Sequence, residues 1–149
     1  MNMRDGAVVG LIVGGILPAF CFAAGSIFNK LSVQAGMGLP FLVVAVACGV
    51  LIVGFSSFLF LSHGTVSSTG MTYAVLFGLV WGLGSVLVTM GISFYGIPLS
   101  KLLPLYNLNT LFGVLLSLWI FSEWQHVHVV KLLIGTLFVT IGGILVALA

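Results

Sequence analysis

The 149-residue chain holds four Lys or Arg and two Asp or Glu, while 61% of its residues are hydrophobic and its mean hydropathy is +1.37. Too few polar side chains remain to cover a water-facing surface, which excludes a soluble globular domain, and a scattered net charge of +2 excludes a nucleic-acid binder. A charge at the centre of a bilayer costs roughly 2.5–3.5 kcal/mol on the insertion scale. Arg4, Asp5, Lys30, Lys101, Glu123 and Lys131 all lie outside or at the rims of long apolar runs, so the composition predicts an all-α integral membrane protein.

Runs of about 20 apolar residues between turn signals predict a single five-helix transmembrane domain over 1–149, with spans near 6–28, 39–61, 71–94, 98–121 and 129–148. A transmembrane barrel would instead show shorter segments of alternating polarity. The first run comes after Arg4 and ends near Phe22-Ala23-Ala24, which imitates a secretory signal peptide. The chain beyond Ala24 is equally hydrophobic, so a retained first helix is expected. Pro18 should interrupt that helix and free the carbonyl of Gly14, and Asn29-Lys30 with Gln34-Ala35-Gly36 should form the first connection. Cys21 and Cys48 lie inside apolar runs, where a thiol acts as a small hydrophobe.

Pro40 fits the first turn of the second span, where its missing N–H costs nothing, and the polar run 62–70 comes next. In the third span, Gly78, Gly82, Ser85 and Thr89 recur at helical spacing and should turn one stripe away from lipid. Tyr95-Gly96 makes the next turn, and Pro98 opens the fourth span. Pro104 then lies inside that span, where it cannot donate to the carbonyl of Ser100 and clashes with it. Tyr106, Asn107, Asn109 and Thr110 come immediately after, a cluster of hydrogen-bonding side chains beside the freed backbone, with Gly113 and Ser117 extending the Asn109 stripe. Interrupted helices of this kind build binding sites within membranes. The fifth span carries Gly135, Thr136, Thr140 and Gly143.

Orientation depends on the basic residues near span ends. With five spans, Arg4 and Lys131 share one side of the membrane while Lys30 and Lys101 share the other. Such balance gives insertion no preference, and the expectation is a chain that inserts both ways and pairs antiparallel with itself.

The stretch 78–149 resembles the C-terminal part of the EamA-like repeat of the drug/metabolite transporter superfamily. The matching features are Pro104 early in the fourth helix, the Leu-rich run ending in Phe121-Ser122-Glu123, and a final helix with Leu133-Ile134-Gly135 and Ile141-Gly142-Gly143. Trp81-Gly82, Gly91 and the Ile97-Pro98-Leu99-Ser100 turn are similar to the sugar-porter branch, while Gly25 to Lys30 matches the family's first helix end only loosely and lacks its Trp-Gly pair. Larger members resemble two such repeats fused in inverted orientation around a substrate cavity. The resemblance thus implies that a single copy completes its cavity with an inverted partner, in the cytoplasmic membrane of a prokaryote.

No carboxylate lies within any span, which disfavours a proton-coupled exchanger of cationic drugs. The expected lining of Trp81, Ser85, Thr89, Tyr106, Asn107, Asn109 and Thr110 offers neutral donors, acceptors and aromatic faces, suited to a neutral or zwitterionic metabolite carried by alternating access, with Pro18 and Pro104 absorbing the bending. Among the rim charges, Glu123 near a helix C-terminus calls for a cationic partner, either Lys131 or a group of the second copy, while Lys101 can snorkel to headgroups or face an anion. His126 and His128 lack the further ligands a metal needs, and no cofactor or enzymatic chemistry is expected. The competing readings are a non-transporting membrane subunit of a larger complex and, with Glu123, His126 and His128 at one interface, a lipid-modifying enzyme.

Overall fold

The computed structural model describes residues 8–61, 64–125 and 127–149, and among them the secondary structure is helical, without strands. The rim residues Arg4 and Asp5, and His126, lie outside the described residues. Helix α1 runs Val8–Gln34, α2 Leu39–Phe60 and α3 Ser68–Ser93. The fourth run, Leu99–Ile120, is two helices, α4 (Leu99–Tyr106) and α5 (Asn109–Ile120). A 3-10 turn at Glu123–Gln125 precedes α6 (Val129–Leu148). Five stretches of the described chain are therefore long and apolar enough to cross a membrane.

The largest departure from the expected boundaries is at the end of α1. Asn29 and Lys30 are helical, and the helix continues to Gln34. The stop is Gly36, at φ +81°: its N–H donates to Val33 O (3.0 Å) and Met37 N–H donates to Ser32 O (3.1 Å). This closes the helix with a residue in the left-handed region that glycine enters without a Cβ clash. A polar pair such as Asn29-Lys30 carries no backbone preference strong enough to end a helix whose tertiary contacts continue.

Pro18 does not break α1 either. The helix widens into a π turn over Ile12–Ile16, in which Leu17 N–H donates to Ile12 O, and Pro18 sits in the first turn of the α-helical part beyond it. The extra residue in the turn moves the carbonyls ahead of the pyrrolidine ring aside, which relieves the clash without ending the helix. Further on, Pro40 lies in the first turn of α2 and Ser67 caps α3, its Oγ accepting from Gly70 N–H (3.3 Å).

The chain divides into two compact units, Met1–Tyr95 and Gly96–Ala149. In the first, α3 packs against both α1 and α2, with Leu42, Thr89 and Ile92 buried. In the second, α6 packs against α4 and α5, and Leu99, Leu118 and Thr136 are buried. Gly143 sets the α4–α6 approach, because a Cβ there would lie 2.8 Å from Pro104 O. Most other large apolar side chains are exposed, among them Phe20, Phe41, Phe77, Trp119 and Phe138. Faces of this kind call for apolar surroundings rather than water.

Candidate functional site

In the first unit, Trp81, Ser85, Thr89 and Ser93 stand every fourth residue along α3 and are joined through the backbone. Ser85 Oγ donates to Trp81 O (3.0 Å), Thr89 Oγ1 to Ser85 O (2.8 Å) and Ser93 Oγ to Thr89 O (2.8 Å). The hydroxyls thus bond to their own helix, as Ser and Thr do in apolar surroundings, and Thr89 Oγ1 also lies within donor reach of Asn29 Oδ1 (3.3 Å), while each oxygen can still accept from another group. Thr89 accepts such a bond. Asn29 Nδ2 of α1 donates to Thr89 Oγ1 (3.0 Å), and Thr89 is 1% exposed. Thr89, expected in the lining, is therefore a satisfied and buried group between two helices, while Ser85 is half-buried and the Trp81 ring remains exposed.

Asn29 is the residue that sequence reasoning missed. Its placement in a turn hid the signal that was present: Ser26, Asn29 and Ser32 recur at three-residue intervals and share one face of a helix once Gly36 is taken as its end. Between α1 and α2 the same unit has an open apolar groove lined by Cys21, Gly25, Phe28, Val46, Gly49 and Val53. It offers a polar solute no carboxamide or hydroxyl.

In the second unit the expected break in the fourth span is present, displaced from the proline. Pro104 stays inside α4; the helical pattern lapses at Asn107 and Leu108. There Leu108 N–H donates to Leu105 O (3.1 Å), Thr110 N–H to Asn107 O (3.0 Å) and Leu111 N–H to Leu108 O (3.0 Å), bonds over three residues instead of four. The carbonyl of Pro104 is left outside the ladder and faces Gly143 of α6. A residue with a Cβ at position 143 would clash with this carbonyl, so glycine is what permits the approach.

The side chains at this break are polar. Asn107 caps the end of α4 and Asn109 begins α5; both are exposed, as is Thr110, whose Oγ1 lies 3.4 Å from Asn109 Oδ1. Tyr106, the last residue of α4, is half-buried. Two carboxamides and a hydroxyl therefore stand within four residues of one another, supplying neutral donors and acceptors in an otherwise apolar span.

Of the rim charges, Lys30 and Lys101 are half-buried, while Glu123 and Lys131 are exposed. Among the described residues no cluster of three His, Cys, Asp or Glu side chains could hold a metal ion. No protein-family model, curated protein or solved structure matches the chain.

Proposed function

We propose that the chain is a membrane carrier of a small neutral or zwitterionic solute, a single five-helix repeat of the drug/metabolite transporter type that crosses a prokaryotic cytoplasmic membrane and works as an antiparallel pair. The observation that carries this reading is the break between α4 and α5, where Asn107, Asn109 and Thr110 present hydrogen-bonding groups beside backbone that has left the helical ladder. Polar side chains and irregular backbone in a span are costly against lipid and are retained where they line a cavity. The exposed apolar faces of both units and the even division of basic residues between the two sides support the bilayer and the inverted partner respectively.

A thermal-shift screen of the purified protein across sugars, amino acids and aromatic metabolites tests the reading. A solute at a hundred times its Kd adds about 2.7 kcal/mol of apparent stability, a shift well above the noise of such screens. The solute so found should be taken up by vesicles containing the protein, and Asn107→Leu or Asn109→Leu should abolish its shift while leaving the unliganded midpoint in place. Undiminished binding by both variants would remove the site from the break.

A further inference from the structure

The two ends of α1 are built differently. From Val8 to Leu17 every residue is exposed, and this half contains the π turn with Gly14 and Gly15 in it, around which a Cβ would meet nothing within 4 Å. From Pro18 onward one face becomes half-buried, at Ser26, Asn29, Lys30 and Val33, positions three or four apart. That face holds Asn29, whose carboxamide donates to Thr89 Oγ1 at 3.0 Å, and Thr89 in turn donates to Ser85 O at 2.8 Å. By contrast, the hydroxyl bonds of Ser56 to Ile52 O, Ser57 to Gly54 O and Thr72 to Ser68 O each stay within one helix.

We infer that α1 is a hinged arm: the segment Leu17–Gln34 is clamped to α3 through Asn29, Thr89 and Ser85, and the segment Val8–Ile16 swings about the π turn ahead of Pro18. The hinge lies where resistance is lowest. Two adjacent glycines have the weakest helical preference short of proline, the π turn interrupts the regular α-helical ladder, and the side chains of the segment are exposed rather than packed. The clamp lies where resistance is higher, because Thr89 is 1% exposed and its bond to Asn29 is shielded from water on that side. A helix fixed at one end and free at the other is a gate element for any solute path beside it. The inference takes its setting from the membrane reading above and needs no solute.

Distances between paired spin labels test it in lipid nanodiscs, on the full chain with Cys21→Ala and Cys48→Ala and a large excess of unlabelled copies. One pair joins Leu11→Cys to Val80→Cys and the other joins Phe28→Cys to Val80→Cys; all three sites are exposed. The first distance distribution should be roughly twofold broader than the second, beyond the spread of the label itself. Pro18→Ala, which lets the π turn close to an α turn, should narrow the first and leave the second alone. Thr89→Val, isosteric and without the hydroxyl, should broaden the second, and Thr89→Ser should restore it. Equal widths in the parent, or no response to Thr89→Val, overturns the inference. Because no solute is present, that failure is separate from a failure of the carrier reading.

Discussion

Gly142 and Gly143 are neighbours in α6 with opposite surroundings. A methyl at Gly143 would meet Pro104 O at 2.8 Å, backbone that cannot rotate away, whereas one at Gly142 would meet nothing within 4 Å. Gly143→Ala should therefore destabilise the second unit by about 1–3 kcal/mol, the usual cost of overpacking, and Gly142→Ala should be neutral or stabilising by up to about 1 kcal/mol through helix propensity. Unfolding of the two variants in detergent, measured side by side, separates the effects. At Thr89 the same residue-scale logic predicts a loss of about 0.6 kcal/mol, and no more than about 1.7 kcal/mol, for Thr89→Val, the average and the maximum for hydrogen bonds between membrane helices, with Thr89→Ser near the parent. Ser122 adds a third case: at φ +54° it occupies a region that costs a side chain about 1–2 kcal/mol, so Ser122→Gly should raise the unfolding midpoint.

Two interior prolines show how an element absorbs the same chemical defect in two ways. Pro18 is met by a π turn and the helix continues; three residues after Pro104, the helix lapses at Asn107 and Leu108. The residues beyond the two rings differ. Leu17–Gln34 packs on α3, which holds the helix beyond the ring, whereas Asn107 tolerates turn backbone and its carbonyl accepts from Thr110 N–H. Pro104→Ala restores the donor to Ser100 O and should fuse α4 and α5 into one helix over Leu99–Ile120. Backbone chemical shifts at Asn107 and Leu108 would move to helical values, and solute binding at the break should fall at least about tenfold if the irregular backbone takes part. Helical shifts with unchanged binding would mean that the carboxamides suffice. The broken fourth span was legible in the sequence from Pro104 and the Asn-rich stretch after it. The π turn was not, because a missing donor states a problem without stating which relaxation is cheaper.

Across the whole chain, the proposed antiparallel pair has its basis in four basic residues. If all five apolar stretches cross the bilayer, the sequence assigns Arg4 and Lys131 to one side and Lys30 and Lys101 to the other, an even division that would favour neither orientation. Reporter fusions at the C-terminus should give signal from both sides of the membrane. Lys30→Ala leaves two basic residues against one and should shift the population toward the form with Arg4 and Lys131 in the cytoplasm; Lys131→Ala should shift it the opposite way. A parent chain that reports from one side only would leave the antiparallel pair without its basis. Glu123 is exposed, and the proposed pair can satisfy its charge from the second copy.

Sequence alone determined the helical class, the five apolar stretches and most of their limits, because a run of about 20 apolar residues is a statement about length and solvent that needs no partner. It also located the polar break, since proline and asparagine act on their own backbone. Tertiary structure decided the rest. That α1 extends to Gly36, that Asn29 reaches Thr89, and that Gly143 rather than Gly142 accepts the Pro104 carbonyl all depend on which helix lies beside which. Those are contacts between residues as many as 60 apart in the chain, and neither composition nor periodicity carries that information.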